Sequence, residues 1–319
     1  MEPQDQQTLL DLIPDDWSSD RVRSLWIATY RGAVPPDAIT PPRTLLIDSV
    51  QVVLLHGTLS YQAVEVVGHP LDGPIEVKPQ ARQTPRGSYT LLATPFDTAD
   101  ATGDEAPVRQ AISATLGLAT AINGGALALD FVYENIIDLE REQVTAFGPV
   151  MSSPAAFGPA QVGETDFNLL ESASKAISDQ PDNIARRIRL ALHWFEQSLR
   201  DHGRDEFIKL WVALEALAMP DTTNVRPLNR LLAASYGIQE SEAASRFGVG
   251  KLQGLRSRVL HNGEPLPIHA DLANYTRAVF VDALLAMLAL AGQGRAESYA
   301  RSPQFESPFN LDRLAHIGP

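Results

Sequence analysis

Apolar and polar positions change their period midway along the chain. Between residues 43 and 96 the apolar residues come in short runs rich in β-branched side chains, "RTLLIDSVQVVLL", "YQAVEVV", "PIEVKP" and "SYTLLATPF", separated by "HPLDGP" and "TPRG". Runs of this kind between Gly, Pro and Asp turns predict strands. Ahead of them, "SSDRVRSLWIATYRG" opens with Ser and Asp caps and predicts a short helix ending near Gly32. Pro107 and Gly124 bracket a further helix, "PVRQAISATLGLATAING". In "ALALDFVYENI", Leu127, Leu129, Phe131 and Tyr133 alternate, which is a strand pattern. Residues 149–165 are small, rich in Pro and Gly and without period, and mark a domain boundary.

Beyond that boundary the period is helical. Thr165 can cap a helix through "DFNLLESASKAI", and Asp182 the next, in which Ile184, Ile188, Ala191, Phe195 and Leu199 recur at helical spacing. A third helix, "DEFIKLWVALEALAM", turns Phe207, Leu210, Trp211, Leu214 and Leu217 to one side. Pro227 opens a short fourth, "VGKLQGLRSRVL" forms a fifth, and "ADLANYTRAVFVDALLAMLALA" a long last one. Short links between such helices imply a compact antiparallel bundle. The expected class is α+β: a β-rich N-terminal domain over residues 1–150, an all-α helical bundle over 165–295, and an extended tail over 296–319.

Composition narrows the function. The 319 residues are 44% hydrophobic, enough to bury a sizeable core, and include no cysteine. Disulfides, thiol nucleophiles and cysteine zinc sites are thereby excluded. The N-terminus carries no basic segment followed by an apolar one. The run "AVFVDALLAMLALAG" falls short of the ~20 residues that cross a bilayer and contains Asp282. A soluble cytoplasmic protein without a membrane partner is therefore expected. No histidines stand at metal-ligand spacing, and no metal or cofactor is expected. The net charge of −13 argues against general nucleic-acid binding, yet it is unevenly spread. Residues 1–165 hold 21 acidic and 9 basic side chains, whereas 166–319 are nearly balanced at 18 and 17. Salt limits the reach of distant charge to roughly 10 Å. A local cationic surface in the second half can then hold phosphate.

The chemistry concentrates in "GLRSRVLHNGE", residues 254–264. Leu252, Leu255 and Val259 define a buried stripe. Arg256 lies beside it, with Leu252 and Leu260 as i±4 neighbours, while Arg258 shares a face with Lys251 and points outward. His261 stands at the helix end signalled by Asn262-Gly263. In an ideal helix, positions i and i+5 are about 140° apart, so unwinding of the terminus is needed to bring His261 to the side of Arg256. Glu215, among Ile208, Trp211 and Ala218, is a carboxylate that needs a partner, and Arg256 is a candidate. Two plainer readings stand beside this one. Cations at a helix C-terminus are favoured by about 0.3–1 kcal/mol, and a Glu215–Arg256 pair can be purely structural. The stripe Arg186, Arg189, His193 and Arg200 is either a solvated polar face or a surface that tracks phosphates. His56 and His69 stand alone between strands, His202 and His269 read as loop or cap residues, and His316 lies in the tail.

The order of "RIRLALHWFEQSL", "FIKLWVALEALAMP", "KLQGLRSRVLHNGE" and "LANYTRAVFVDALLAML" resembles the HEPN domain, particularly its Apea-like branch, over roughly residues 182–292. The resemblance implies a helical bundle, commonly dimeric, that is often a metal-independent endoribonuclease in toxin–antitoxin or anti-phage systems. On this chain the motif arginine is Arg256 and the motif histidine His261. Ser257 stands where the family usually has Asn, Asp or His, and brings neither a charge nor an imidazole. Glu215, Ser257, Asn262 and Tyr275 are the expected supporting residues, and Arg186, Arg189, His193 and Arg258 the expected RNA contacts. The implied partners are an RNA substrate, a second copy of the chain, and an antitoxin or other regulatory protein. Some members of the family are non-catalytic modules that bind RNA, a nucleotide or a protein, and that alternative stays open here.

Overall fold

The computed structural model describes residues 24–31, 43–47, 50–56, 60–67, 76–83, 89–96, 106–123, 130–138, 143–146, 164–261 and 268–300. The chain divides into two compact units, Met1–Leu116 with Asn123–Glu171, and Gly117–Ile122 with Ser172–Pro319.

The expected fold class requires correction. An α+β protein led by a β-rich domain was anticipated, but the protein is mostly helical, with helix over 78% of the residues whose surroundings are described. Extended backbone does occur in the first unit, at β1 (Ser24–Arg31), β2 (Arg43–Ile47), β3 (Val50–His56), β4 (Ser60–Val67), β5 (Glu76–Gln83), β6 (Tyr89–Phe96), β7 (Asp130–Asp138) and β8 (Gln143–Ala146). β1 runs antiparallel between β6 and β7, with Trp26 opposite Thr94 and Ile136. Of the side chains on these segments, only Trp26, Leu45 and Val52 belong to the described core, and nearly all the rest of that core is helical. The physical reason is that β-branched runs report a local fit to extended backbone. They do not report how much of the interior such segments supply.

Two further expectations change in this unit. The helix anticipated over "SSDRVRSLWIATYRG" is instead β1: Trp26, Ile27, Thr29 and Tyr30 favour extended backbone, and their χ1 stiffness outweighs an N-cap signal. The helix expected between Pro107 and Gly124 is α1 (Ala106–Asn123), in which every residue from Ala111 to Ile122 is buried. A helix apolar or small on all sides belongs in an interior. Its last turns, Gly117–Ile122, belong to the second unit, where a Cβ on Gly117 would meet the Leu192 carbonyl oxygen at 2.3 Å.

The second unit takes the end of α2 (Glu164–Ser178), from Ser172 on, and continues as a bundle of α3 (Asp182–Ser198), α4 (Arg204–Ala218), α5 (Arg226–Tyr236), α6 (Glu240–Phe247), α7 (Val249–His261), α8 (Ala270–Met287) and the short α9 (Arg295–Ala300). Asp182 is the first helical residue of α3 rather than its cap, which is Pro181. α6 was not anticipated: only Ala243 and Phe247 of its eight residues are buried, too few to set a period. Gly237 and Gly248, both left-handed (φ 62° and 58°), end α5 and α6 and so separate three short helices. Nor does residue 296 begin an extended tail, because α9 continues to Ala300; residues 301–319 lie outside the described residues.

α3 packs along α4, and α8 runs through the centre against α4, α5 and α9. Phe195 of α3 stacks on Phe280 of α8 with centroids 4.6 Å apart. Asp282, fully buried on α8, accepts from the Tyr236 hydroxyl and from the Arg295 and Ala296 backbone N–H groups, which fixes the start of α9. Burial and the adjoining carboxylate push the Tyr236 phenol well above its ordinary range, so it stays a donor. The Arg295 guanidinium in turn bonds the Ala121 and Ile122 carbonyls at the end of α1.

Candidate functional site

α7 starts after the left-handed turn at Gly248 and buries Val249, Leu252, Leu255 and Val259. That stripe sets the rotation of the helix and leaves Arg256 at its margin, with 23% of its side chain exposed. Arg256 Nη2 lies 3.4 Å from Glu215 Oε1 on α4. Its Nη1 lies 2.8 Å from His261 Nε2. One guanidinium therefore bridges a carboxylate on one helix and an imidazole at the end of another. Its buried Nε finds no acceptor among the described residues.

The bridge forms without the unwinding that ideal geometry called for. α7 continues through His261, and the length of the arginine side chain spans the angular gap along the helix. Arginine has no acceptor and never loses its charge near neutrality. In this hydrogen bond the guanidinium therefore donates and the His261 Nε2 accepts. His261 is exposed, so incoming groups reach the ring freely.

The other expected site residues divide. Ser257 is half-buried on α7, next to Arg256 in sequence, and Asn262 lies outside the described residues. Tyr275 is not near solvent: its ring is fully buried and its hydroxyl donates to the Phe247 carbonyl at 2.6 Å. Burial raises its pKa, and it serves the packing of α8. Arg258 is half-buried rather than fully solvated. On α3, Arg186 is exposed, but Arg189 is buried to 8% exposure and cannot track phosphates at the surface. His193 is half-buried, with its pKa lowered chiefly by burial, and Arg200 bonds Glu196. The stripe is therefore neither a continuous solvated face nor a continuous cationic track. His269 caps α8, accepting from the Asp271 N–H at 3.2 Å, which matches its reading as a cap. His202 is exposed, the side chain of His56 is not described, and His69 and His316 lie outside the described residues.

Sequence reasoning missed a groove of about 750 Å³ between α3 and α4, closed at one end by the turn Pro220–Thr223. Leu190 and Trp194 form one wall and Val212 and Met219 the other, while Glu215 lines it as well. Arg187 fixes the α3–α4 spacing by donating to the Ala216 and Leu217 carbonyls, the latter at 2.8 Å. The available signal was Arg187, Leu190 and Trp194 at i, i+3 and i+7, a second apolar face on a helix whose core face was already assigned. Among the described residues no group of three or more His, Asp or Glu is close enough to hold a metal ion. Among them, too, no helix is long and apolar enough to cross a membrane.

No family model matches the chain, and neither a curated protein nor a solved structure resembles it significantly.

Proposed function

We propose that the protein is an endoribonuclease of HEPN type that cleaves RNA through its own 2′-OH without a metal, as a toxin or anti-phage effector. The observation that carries this reading is the Glu215–Arg256–His261 bridge on an exposed helix end. An RNA phosphate is a better acceptor for the guanidinium than a neutral imidazole, because its hydrogen bonds are charge-assisted. When a phosphate takes Nη1, the His261 Nε2 lone pair is released beside the same phosphate. Glu215 meanwhile keeps the arginine in place.

His261 then accepts the 2′-OH proton as the 2′-oxygen attacks phosphorus. Arg256 stabilises the charge that builds on the phosphorane oxygens. The P–O5′ bond breaks, and the 5′-oxygen needs a proton in turn. One histidine per chain is thin for two transfers. We therefore take the working unit as a twofold homodimer whose second His261 supplies that proton. The products are a 2′,3′-cyclic phosphate and a 5′-hydroxyl. An antitoxin or other regulatory protein is the partner such an effector calls for.

A second reading is that of a non-catalytic RNA- or nucleotide-binding or protein-interaction module, favoured by Ser257 directly after the arginine. The two readings part in one assay: incubation of single-stranded RNA with the purified protein in EDTA. The nuclease reading expects cleavage by the wild type and its loss in both Arg256→Ala and His261→Ala. Full activity in both variants sinks the assigned roles, and an inert but RNA-binding wild type favours the module.

A further inference from the structure

We propose that the groove between α3 and α4 receives an unpaired guanine of the RNA, next to the phosphate that Arg256 and His261 hold; this deepens the ribonuclease reading and rests on it. The groove and the bridge share a residue. Glu215 lines the groove, and its Oε1 meets Arg256. A second tie comes from α7 itself, where Gln253 donates to the Thr223 carbonyl in the turn that closes the groove. The spacing between groove and guanidinium is thus set by the packed helices and does not await a ligand.

The lining selects the occupant. Leu190, a large apolar residue left 42% exposed, and Trp194 offer a flat apolar wall facing Val212 and Met219. Purely apolar ligands would leave the carboxylates of Glu215 and Asp221 facing carbon, which is costly. A nucleobase has both surfaces: a π face to lie on Trp194 and a polar edge for the carboxylates. Stacking on an aromatic side chain contributes about 1–3 kcal/mol per base. Carboxylates accept only, so the edge must donate. Guanine presents N1–H and N2–H side by side, matching the two oxygens of the exposed Asp221. Uracil presents a single N–H between two carbonyls, which a carboxylate repels. A base-paired guanine has neither its face nor that edge free, so the groove selects single-stranded RNA.

The test uses the whole protein and an uncleavable 2′-O-methyl decamer of uridines with one central guanine, its binding followed by fluorescence anisotropy. Replacing the guanine by an abasic unit, or by uracil, is expected to weaken binding to the wild type about tenfold, equivalent to about 1.4 kcal/mol. In Trp194→Ala and in Asp221→Asn that discrimination falls to about threefold or less, and thermal unfolding shows whether each variant is folded. Asp221 is exposed, so its variant keeps the test open if the Trp194 variant does not fold. Equal binding of all three oligonucleotides to the wild type, or undiminished discrimination in folded Asp221→Asn, overturns the proposal. The nuclease reading fails separately: the all-ribose decamer then stays intact while the guanine preference persists.

Discussion

At the scale of single residues, Arg256 sits between two roles that stability can separate. Its pair with Glu215 is partly solvated on both sides, with 23% and 32% of the side chains exposed. Pairs of that kind contribute about 1 kcal/mol or less. Arg256→Ala is accordingly expected to lower stability in urea by about 1 kcal/mol at most while removing RNA cleavage. A drop several times larger identifies a structural arginine. Arg256→Lys is expected to fail as well, because a point charge cannot serve Glu215 and His261 together as the guanidinium fork does. The inserted arginine and its carboxylate were legible in the sequence, since their i±4 neighbours are apolar. The groove was not, because Leu190 and Trp194 stand off the stripe that sets the core face of α3, and only the packing of α4 beside them turns that second apolar face into a groove.

His193 carries a prediction of its own. Burial holds its pKa below the ordinary value of 6.5, so the folded protein resists its protonation while the unfolded chain accepts it. Its contribution to stability is complete above pH 6.5 and is lost as pH falls toward its lowered folded pKa. The thermal midpoint is expected to decline on acidification below pH 6.5, and less steeply in His193→Gln. Equal slopes in the two proteins would remove the assignment.

Secondary-structure elements bring in packing that no local pattern displays. Gly117 lies mid-helix, where alanine normally adds about 1 kcal/mol of stability. Here a Cβ would stand 2.3 Å from the Leu192 carbonyl oxygen, a backbone atom that cannot swing aside. Gly117→Ala is therefore expected to destabilise the protein, by about 1–3 kcal/mol as overpacking does, read from its urea midpoint. A stabilised variant would contradict the close crossing of α1 and α3. Helices with strong stripes were legible: the residues proposed as buried on α4 are all buried, as are Leu252, Leu255 and Val259 on α7. α6 escaped because eight residues with two buried positions carry no measurable period. β1 was misread as a helix because a cap signal was weighed above β-branched content. The wider error was one of proportion, since the mainly helical character depends on where the interior lies rather than on how many β-branched runs the first half contains.

For the whole molecule, charge and stoichiometry govern behaviour. The second half is near-balanced and the first carries most of the negative charge, so on the proposed function RNA binding is expected to use only a few phosphate contacts and to fall with salt along a shallow slope. The proposed twofold homodimer also makes activity depend on concentration. Specific activity is expected to fall on dilution in step with dissociation of the dimer, followed by sedimentation. Constant specific activity down to a fully monomeric sample would show that one His261 suffices.

The most direct measurement concerns the ends of the cleaved RNA. Attack by the 2′-oxygen leaves a 2′,3′-cyclic phosphate and a 5′-hydroxyl, and a single 2′-deoxy sugar at the scission point blocks cleavage there. Mass analysis of fragments made in EDTA is expected to find those ends in the wild type and no fragments in His261→Ala. Fragments with 3′-hydroxyl and 5′-phosphate ends, or undiminished scission at the deoxy position, would contradict the account.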